Sequence, residues 1–139
     1  MRCDAETYVT FQVHDAAGGT ETVVDVNSFG LGNVNGDGRL GYYNVMMTNP
    51  RVDGSTVLPF ATNSGNPGQH GNTTGAQLRK GGFTMGWRQS GAPVLQSGKV
   101  FEADLVLSAF LAGSADIRGA LTESAPLRGS LIISYAFGL

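Results

Sequence analysis

The final stretch of the sequence, 129-GSLIISYAFGL-139, carries the most regular hydrophobic alternation of the chain. Because successive side chains of an extended chain point to opposite faces, one face of this stretch holds large apolar side chains and the other holds small or moderately apolar ones. Its Ile, Tyr and Phe residues also favour the half-buried surface of a pleated sheet. We therefore predict a β-strand whose apolar face carries Leu131, Ile133, Tyr135 and Phe137.

The composition of this strand also predicts its place in a sheet. An apolar strand at the edge of a sheet invites pairing with another chain, so folded proteins either cover such an edge or use it for association. We predict that the strand closes a β-sandwich and that the sheet edge beside it is used for association.

Composition assigns the whole chain, residues 1–139, to a single all-β domain. Its length is that of one ordinary domain. Glycine occurs 21 times and charged residues make up only 14% of the chain, which is typical of short strands joined by tight turns. The net charge of −2 and the scattered basic residues give no electrostatic basis for binding nucleic acid.

Alternation elsewhere in the chain predicts about eight short strands and no long helix. Residues 99–111 form the longest alternating segment. The two glycines of 28-SFGLG-32 indicate a bend that places Phe29 or Leu31 in the core. The other predicted strands are residues 5–14, 22–26, 39–48, 56–60, 83–88 and 117–121.

The segment 33-NVNGDG-38 combines two turn signals with part of a calcium-loop pattern. Asn-Gly and Asp-Gly are strong hairpin-turn pairs. A calcium loop needs several carboxylates, but Asp37 is the only anionic residue of the set, and Asn44 stands where a bidentate glutamate is normal. We therefore predict a plain turn here, with neither a metal nor a cofactor.

The sequence gives no basis for an enzyme. It contains no nucleophile elbow, phosphate-binding loop, dinucleotide fingerprint or zinc-ligand spacing. Glu102 and Asp104 share a strand face and could form a carboxylate pair, although the simpler explanation is that they lie on the solvent face of an amphipathic strand. His14 is predicted on the polar face of a strand. Cys3, the only cysteine, is either a free thiol or one half of a disulfide whose partner lies elsewhere.

Short motifs spread over most of the chain resemble those of one protein family. They are Cys3, 29-FGLG-32, 39-RLGYY-43, 52-VDG-54, Trp87 and the G-x-x-x-I-x-Y pattern of residues 129–135. In these motifs the chain is similar to the pilin subunits of chaperone–usher fimbriae, and in particular to fimbrial major subunits of the beta-fimbriae type.

The resemblance implies a fold, partners and site residues. The fold would be an immunoglobulin-like antiparallel sandwich that lacks its last strand and receives a donor strand from the neighbouring subunit. A periplasmic chaperone would fill the same gap during secretion, before an outer-membrane usher assembles the fibre at the cell surface. Cys3 would be the second half of a disulfide, with the family's donor arm and first strand outside these residues. The subunit and chaperone groove would include Leu131, Ile133, Tyr135 and Phe137, with the carboxylate of Leu139 as the chaperone anchor.

We therefore expect a structural, non-enzymatic subunit of a bacterial surface fimbria that polymerises by donor-strand exchange. The alternative is a fimbrial-tip adhesin or a secreted carbohydrate-binding module, which would bind a host glycan or protein receptor. Its candidate site is the long polar loop of residues 61–75, with His70 and Asn72, because loops of this length are often functional. Trp87 could stack on a sugar there, although its phase with Met85 also fits a core position.

Overall fold

The computed structural model describes residues 1–63, 75–121 and 124–138, which form an antiparallel all-β structure. The predicted all-β class is therefore confirmed. The described part of the chain has one helix, α1 (Ser114–Ile117), and none that is long and apolar enough to cross a membrane. The strands are β1 (Arg2–Asp15), β2 (Phe29–Gly30), β3 (Asn33–Val34), β4 (Gly38–Arg39), β5 (Gly41–Val52), β6 (Ser55–Thr56), β7 (Leu58–Thr62), β8 (Gly75–Gln77), β9 (Thr84–Arg88), β10 (Gly98–Leu111) and β11 (Leu131–Gly138).

Two groups of strands enclose the hydrophobic core. One group is built around β5, which pairs with β2, β6, β8 and β10. The other is built around β1, which pairs with β9 and β11, while β7 pairs with β9. The start of β10 also pairs with β1 and joins the two groups. Trp87 on β9 and Phe101 on β10 have ring centroids 5.3 Å apart, so the two groups meet across one core.

Alternation along each strand determines which side chains enter this core. On β1, Phe11 and Val13 are buried, whereas Gln12 between them is exposed. The bend at residues 28–32 buries both Phe29 and Leu31. Burial of these apolar side chains is the main favourable contribution to folding. The buried side chains of β5 and β9 follow the same period of two: Tyr43, Val45, Met47, Met85 and Trp87.

The structure differs from the sequence prediction at two short strands. Residues 22–26 form no strand; at their end the Ser28 N–H donates to the Asp25 carbonyl (3.2 Å) and closes a turn. Residues 117–121 form no strand either, because helix α1 ends there with Arg118 in the left-handed region (φ 57°), which interrupts an extended chain. Both predictions are wrong for the same reason: local turn and cap bonds compete with strand pairing.

The predicted Asn-Gly turn is present, and an Asp-Gly pair elsewhere in the chain forms a second turn. Asn35 and Gly36 (φ 51° and 81°) join β3 to β4, and Asp53 and Gly54 (φ 50° and 80°) join β5 to β6. Positive φ at both central residues gives a turn whose twist matches that of the flanking strands. These two turns therefore fix the register of their hairpins.

Candidate functional site

Two long strands of the structure have a strand partner on one side only. β11 pairs with β1 along its whole length. β10 pairs with β5 as far as Leu111, and its other side meets β1 only at Gly98 and Val100. Among the described residues, no strand pairs with the second side of β11 or of residues 103–111 in β10. Each edge therefore presents a row of backbone N–H and C=O groups that can pair with an added strand.

The two free edges border an open groove that reaches down to the core. Leu105 of β10 and Ile133 of β11 lie at one end of this groove, and Ala109 and Leu131 lie at the other. Residue numbers rise along β10 as they fall along β11, so the two edges run in opposite directions. Core side chains form the floor beneath these walls: Phe11, Trp87 and Phe101 at the first end, and Leu31, Tyr43 and Val45 at the second.

The wall formed by β10 is apolar and uncovered. Leu105 and Leu107 line the groove, yet Leu107 is 60% exposed. Val106, which points to the outer face of the same strand, is 52% exposed. The inner face of a packed sheet is normally covered by a second layer. An inner-face leucine as exposed as its outer-face neighbour therefore shows that no described residue covers this part of the groove.

The wall formed by β11 carries the apolar face predicted from the sequence. Leu131, Ile133 and Tyr135 line the groove. Phe137 lies on the same face of the strand by alternation but outside the groove lining, and it is exposed. Leu139, the predicted chaperone anchor, lies outside the described residues.

The sequence prediction missed the second wall. It identified residues 99–111 as the longest alternating segment but named none of its residues, such as Leu105, Leu107 and Ala109, as groove residues. Alternation identifies which face is apolar and gives no information on whether another layer covers that face. The available signal was the unusual length of the alternating segment, 14 residues in β10, which is more than twice the average strand.

Trp87 is a floor residue of the groove, so it occupies the core position that its phase with Met85 allowed and does not form part of an exposed ligand loop. Its side chain is 5% exposed and packs against Phe11 and Phe101. The indole Nε1–H donates a hydrogen bond to the Glu102 carbonyl (2.9 Å). A side chain this buried offers no open ring face on which a sugar could stack. His70, Asn72 and most of the polar loop lie outside the described residues.

A polar cluster lies at the end of the groove nearest the start of β10. Arg51 on β5 lies 3.7 Å from the Glu102 carboxylate and 3.8 Å from the Asp104 carboxylate. The Asn49 side-chain amide donates to Asp104 (2.9 Å). The two carboxylates thus share a cation at the surface, which is the arrangement of an ordinary cross-strand ion pair. This cluster gives the apolar groove one polar end.

Gly129 allows the chain to pass closely over the groove floor before it enters β11. A Cβ atom at this position would lie 2.7 Å from the Tyr43 ring. Tyr43 is buried, stacks on Phe29 with ring centroids 5.4 Å apart, and lines the groove beneath Leu131. Burial raises the pKa of the Tyr43 hydroxyl above its ordinary value. Gly129 therefore sets how deep this end of the groove can be.

The remaining candidate residues lie away from the groove or do not form a site. Cys3 is a partly buried free thiol, and the sequence contains no second cysteine with which it could pair. Asp37 forms an exposed ion pair with Arg118 (2.9 Å). His14 is exposed on β1. Within residues 1–63, 75–121 and 124–138, no cluster of His, Cys, Asp and Glu could hold a metal ion.

No protein-family model matches this chain, and comparisons with curated proteins and with solved structures found no match. Function is therefore inferred from the groove between β10 and β11 and from the sequence motifs.

Proposed function

We propose that this protein is a structural subunit of a bacterial surface fimbria and that the groove between β10 and β11 accepts a donor strand from a neighbouring subunit. The fold would then be an incomplete immunoglobulin-like sandwich of the pilin type. The observation that carries the proposal is the pair of free strand edges on either side of an apolar gap. A strand added to such a groove would pair with both edges, and no described residue of the chain pairs with either of them.

An added strand would gain both main-chain and side-chain contacts. Its backbone would pair with both edges at once, since β10 and β11 each have a free side. Alternate side chains would enter the groove and cover Leu105 and Leu107, and further burial of each would contribute roughly 1 kcal/mol. Because the two edges run in opposite directions, the donor must lie parallel to one edge and antiparallel to the other.

The family resemblance supports the same role. It implies that a periplasmic chaperone protects the groove during secretion and that an outer-membrane usher replaces the chaperone with the next subunit. An uncovered apolar groove of this kind would aggregate if it were left free in the periplasm. Leu131, Ile133 and Tyr135 are the β11 residues that the chaperone and the donor strand would contact in turn. The carbohydrate-binding alternative has lost Trp87 as a stacking residue, and no observation favours it.

The proposal is tested with a synthetic donor strand. The peptide has about nine residues, the length of the free edge of β10, and alternates Val or Ile with Thr or Ser. We expect it to raise the thermal unfolding midpoint of the folded protein in a concentration-dependent manner. A peptide of the same composition without the alternation, and one with methylated backbone nitrogens on alternate residues, should both have little effect.

Two single substitutions serve as matched probes of the groove. Leu107→Asp places a charge inside the groove, whereas Val106→Asp places the same charge on the outer face of the same strand. We expect the peptide to stabilise the Val106 variant as it does the wild type and to leave the Leu107 variant unchanged. The proposal fails if the alternating peptide gives no stabilisation, or if it stabilises both variants equally.

A further inference from the structure

A buried group of three charged residues lies at the end of β1, outside the groove. Lys80 follows β8, and its Nζ lies 2.8 Å from Glu21 Oε1 and 3.6 Å from Asp15 Oδ2. Only 2% of the Asp15 side chain, 7% of the Glu21 side chain and 19% of the Lys80 side chain are exposed. One amine therefore sits against two carboxylates in a site from which most water is excluded.

The surrounding backbone holds both carboxylates in fixed positions. Asp15 Oδ1 accepts a hydrogen bond from the Ala17 N–H (3.0 Å), and Asp15 Oδ2 accepts one from the Gly30 N–H (2.9 Å). Glu21 accepts one from the Gly19 N–H (2.7 Å). The fully buried ring of Phe29 lies 5.8 Å from the amine and makes the site apolar on that side.

We propose that Lys80 and Asp15 condense within the folded protein to form an intramolecular amide, with Glu21 as the proton carrier. Glu21 takes a proton from the Lys80 ammonium and passes it to the Asp15 carboxylate, and the neutral amine then attacks Cγ of the uncharged acid. The N–H groups of Ala17 and Gly30 stabilise the negative charge that develops on the carboxyl oxygens.

The bonds, protons and charges balance in this step. One C–O bond of Asp15 breaks, one C–N bond forms, and the departing oxygen leaves as water after receiving two protons that began on the Lys80 nitrogen. One positive and one negative charge disappear together. Glu21 ends ionised, as it began, so no oxidant, reductant or co-reactant is needed.

Burial and proximity both favour condensation over a persistent ion pair. A buried ion pair bears a desolvation cost for each charge, and the amide removes both of these charges from the interior. The reacting groups are already held together, which removes most of the entropic cost of bringing them into contact. Burial opposes ionisation of Glu21, but hydrogen bonds from Lys80 and from backbone N–H groups outweigh it and lower the pKa of Glu21, so this carboxylate is ionised at the start of the step.

The amide would tie the end of β1 to the segment that follows β8. Asp15 is the residue of β1 that pairs with Leu131, the first residue of β11. The bond would therefore anchor the strand that holds one wall of the groove. This inference does not depend on what the groove binds.

Intact-mass spectrometry of the folded, purified protein tests the inference. The protein is denatured and reduced before the measurement, so that disulfides cannot change its mass. We expect a mass lower than that of the sequence by one water molecule. Because an Asp-Gly pair can also lose water by cyclising, tryptic digestion must give the branched product of residues 3–39 linked to residues 80–88. If the folded protein still has its full sequence mass after several days, Lys80 and Asp15 form an ion pair only, and the inference is overturned.

Three variants separate the reaction from the fold. Lys80→Arg keeps the positive charge but has no amine nucleophile, so it should have its full sequence mass. Glu21→Gln keeps the size of the side chain without the proton acceptor and should be unlinked or linked much more slowly. Arg118→Lys creates an exposed lysine opposite Asp37 and should lose no second water. If the branched peptide forms equally fast in the Glu21 variant, Glu21 is not the proton carrier.

Discussion

Tyr43 is buried in the core and also lines the groove, and the pKa of its hydroxyl depends on how well the ring is buried there. The ring stacks on Phe29, and Gly129 passes directly over it. Because burial raises the pKa of Tyr43, the folded state favours the protonated hydroxyl. The contribution of this group to stability is complete below the ordinary tyrosine pKa of about 10 and is lost as the pH rises from there through the folded-state pKa.

Tyr43→Phe should therefore change the alkaline pH dependence of stability. At neutral pH we expect the variant and the wild type to differ by less than about 1 kcal/mol, since the ring is kept. Above about pH 10 the wild type should lose stability relative to the variant, by at most about 1.4 kcal/mol per pH unit for one proton. Urea unfolding across this range measures the difference. An identical slope for both proteins would show that Tyr43 is not the buried titrating group.

At the scale of the secondary-structure elements, the Asp53–Gly54 turn connects the hairpin to the start of β10. Asp53 adopts φ 50°, and its Oδ1 accepts hydrogen bonds from the N–H groups of Lys99 (3.0 Å) and Val100 (2.8 Å). Its own N–H donates to the Val100 carbonyl (2.8 Å). One residue thus closes a tight turn and holds a second strand in place.

Substitution of Asp53 should separate these contributions. Asp53→Ala removes the side-chain acceptor from two backbone N–H groups and places alanine in a left-handed conformation, so we expect a loss of roughly 1–3 kcal/mol in the free energy of unfolding. Asp53→Asn keeps an acceptor oxygen and tolerates that conformation, so its loss should be below about 1 kcal/mol. Chemical denaturation of both variants measures this. Equal losses would mean that the two hydrogen bonds contribute little.

The same elements show what a sequence can predict and what it cannot. Alternation correctly predicted the extended segments that became β1, β5 and β10, because one face of each strand enters the core. It failed at residues 22–26 and 117–121, where turn bonds and a helix cap decide the conformation. It indicated the apolar face of β11, but it could not show that β10 forms the facing wall, because neighbours in the fold are set by tertiary pairing.

At the scale of the whole molecule, the two free edges make self-association the expected behaviour of the isolated chain. A long, mostly apolar edge strand is a template for pairing with a second copy. β10 and β11 provide two such edges, and the described residues cover neither. A contact in which β10 of one copy pairs with β11 of the next is heterologous and not self-limiting, so it should give a distribution of oligomers and no single closed dimer.

A lysine placed inside the groove should suppress this association, because burying its charge against a second chain is costly. Leu107→Lys and Ile133→Lys alter the two walls, whereas Val106→Lys and Ile132→Lys add the same charge on the outer faces of the same strands. Sedimentation velocity over a range of protein concentrations should show larger species for the wild type and both outer-face variants, and mainly monomer for both groove variants. If all four variants suppress association equally, the cause is the change in net charge. If the wild type remains monomeric at every concentration, the free edges of β10 and β11 do not drive self-association.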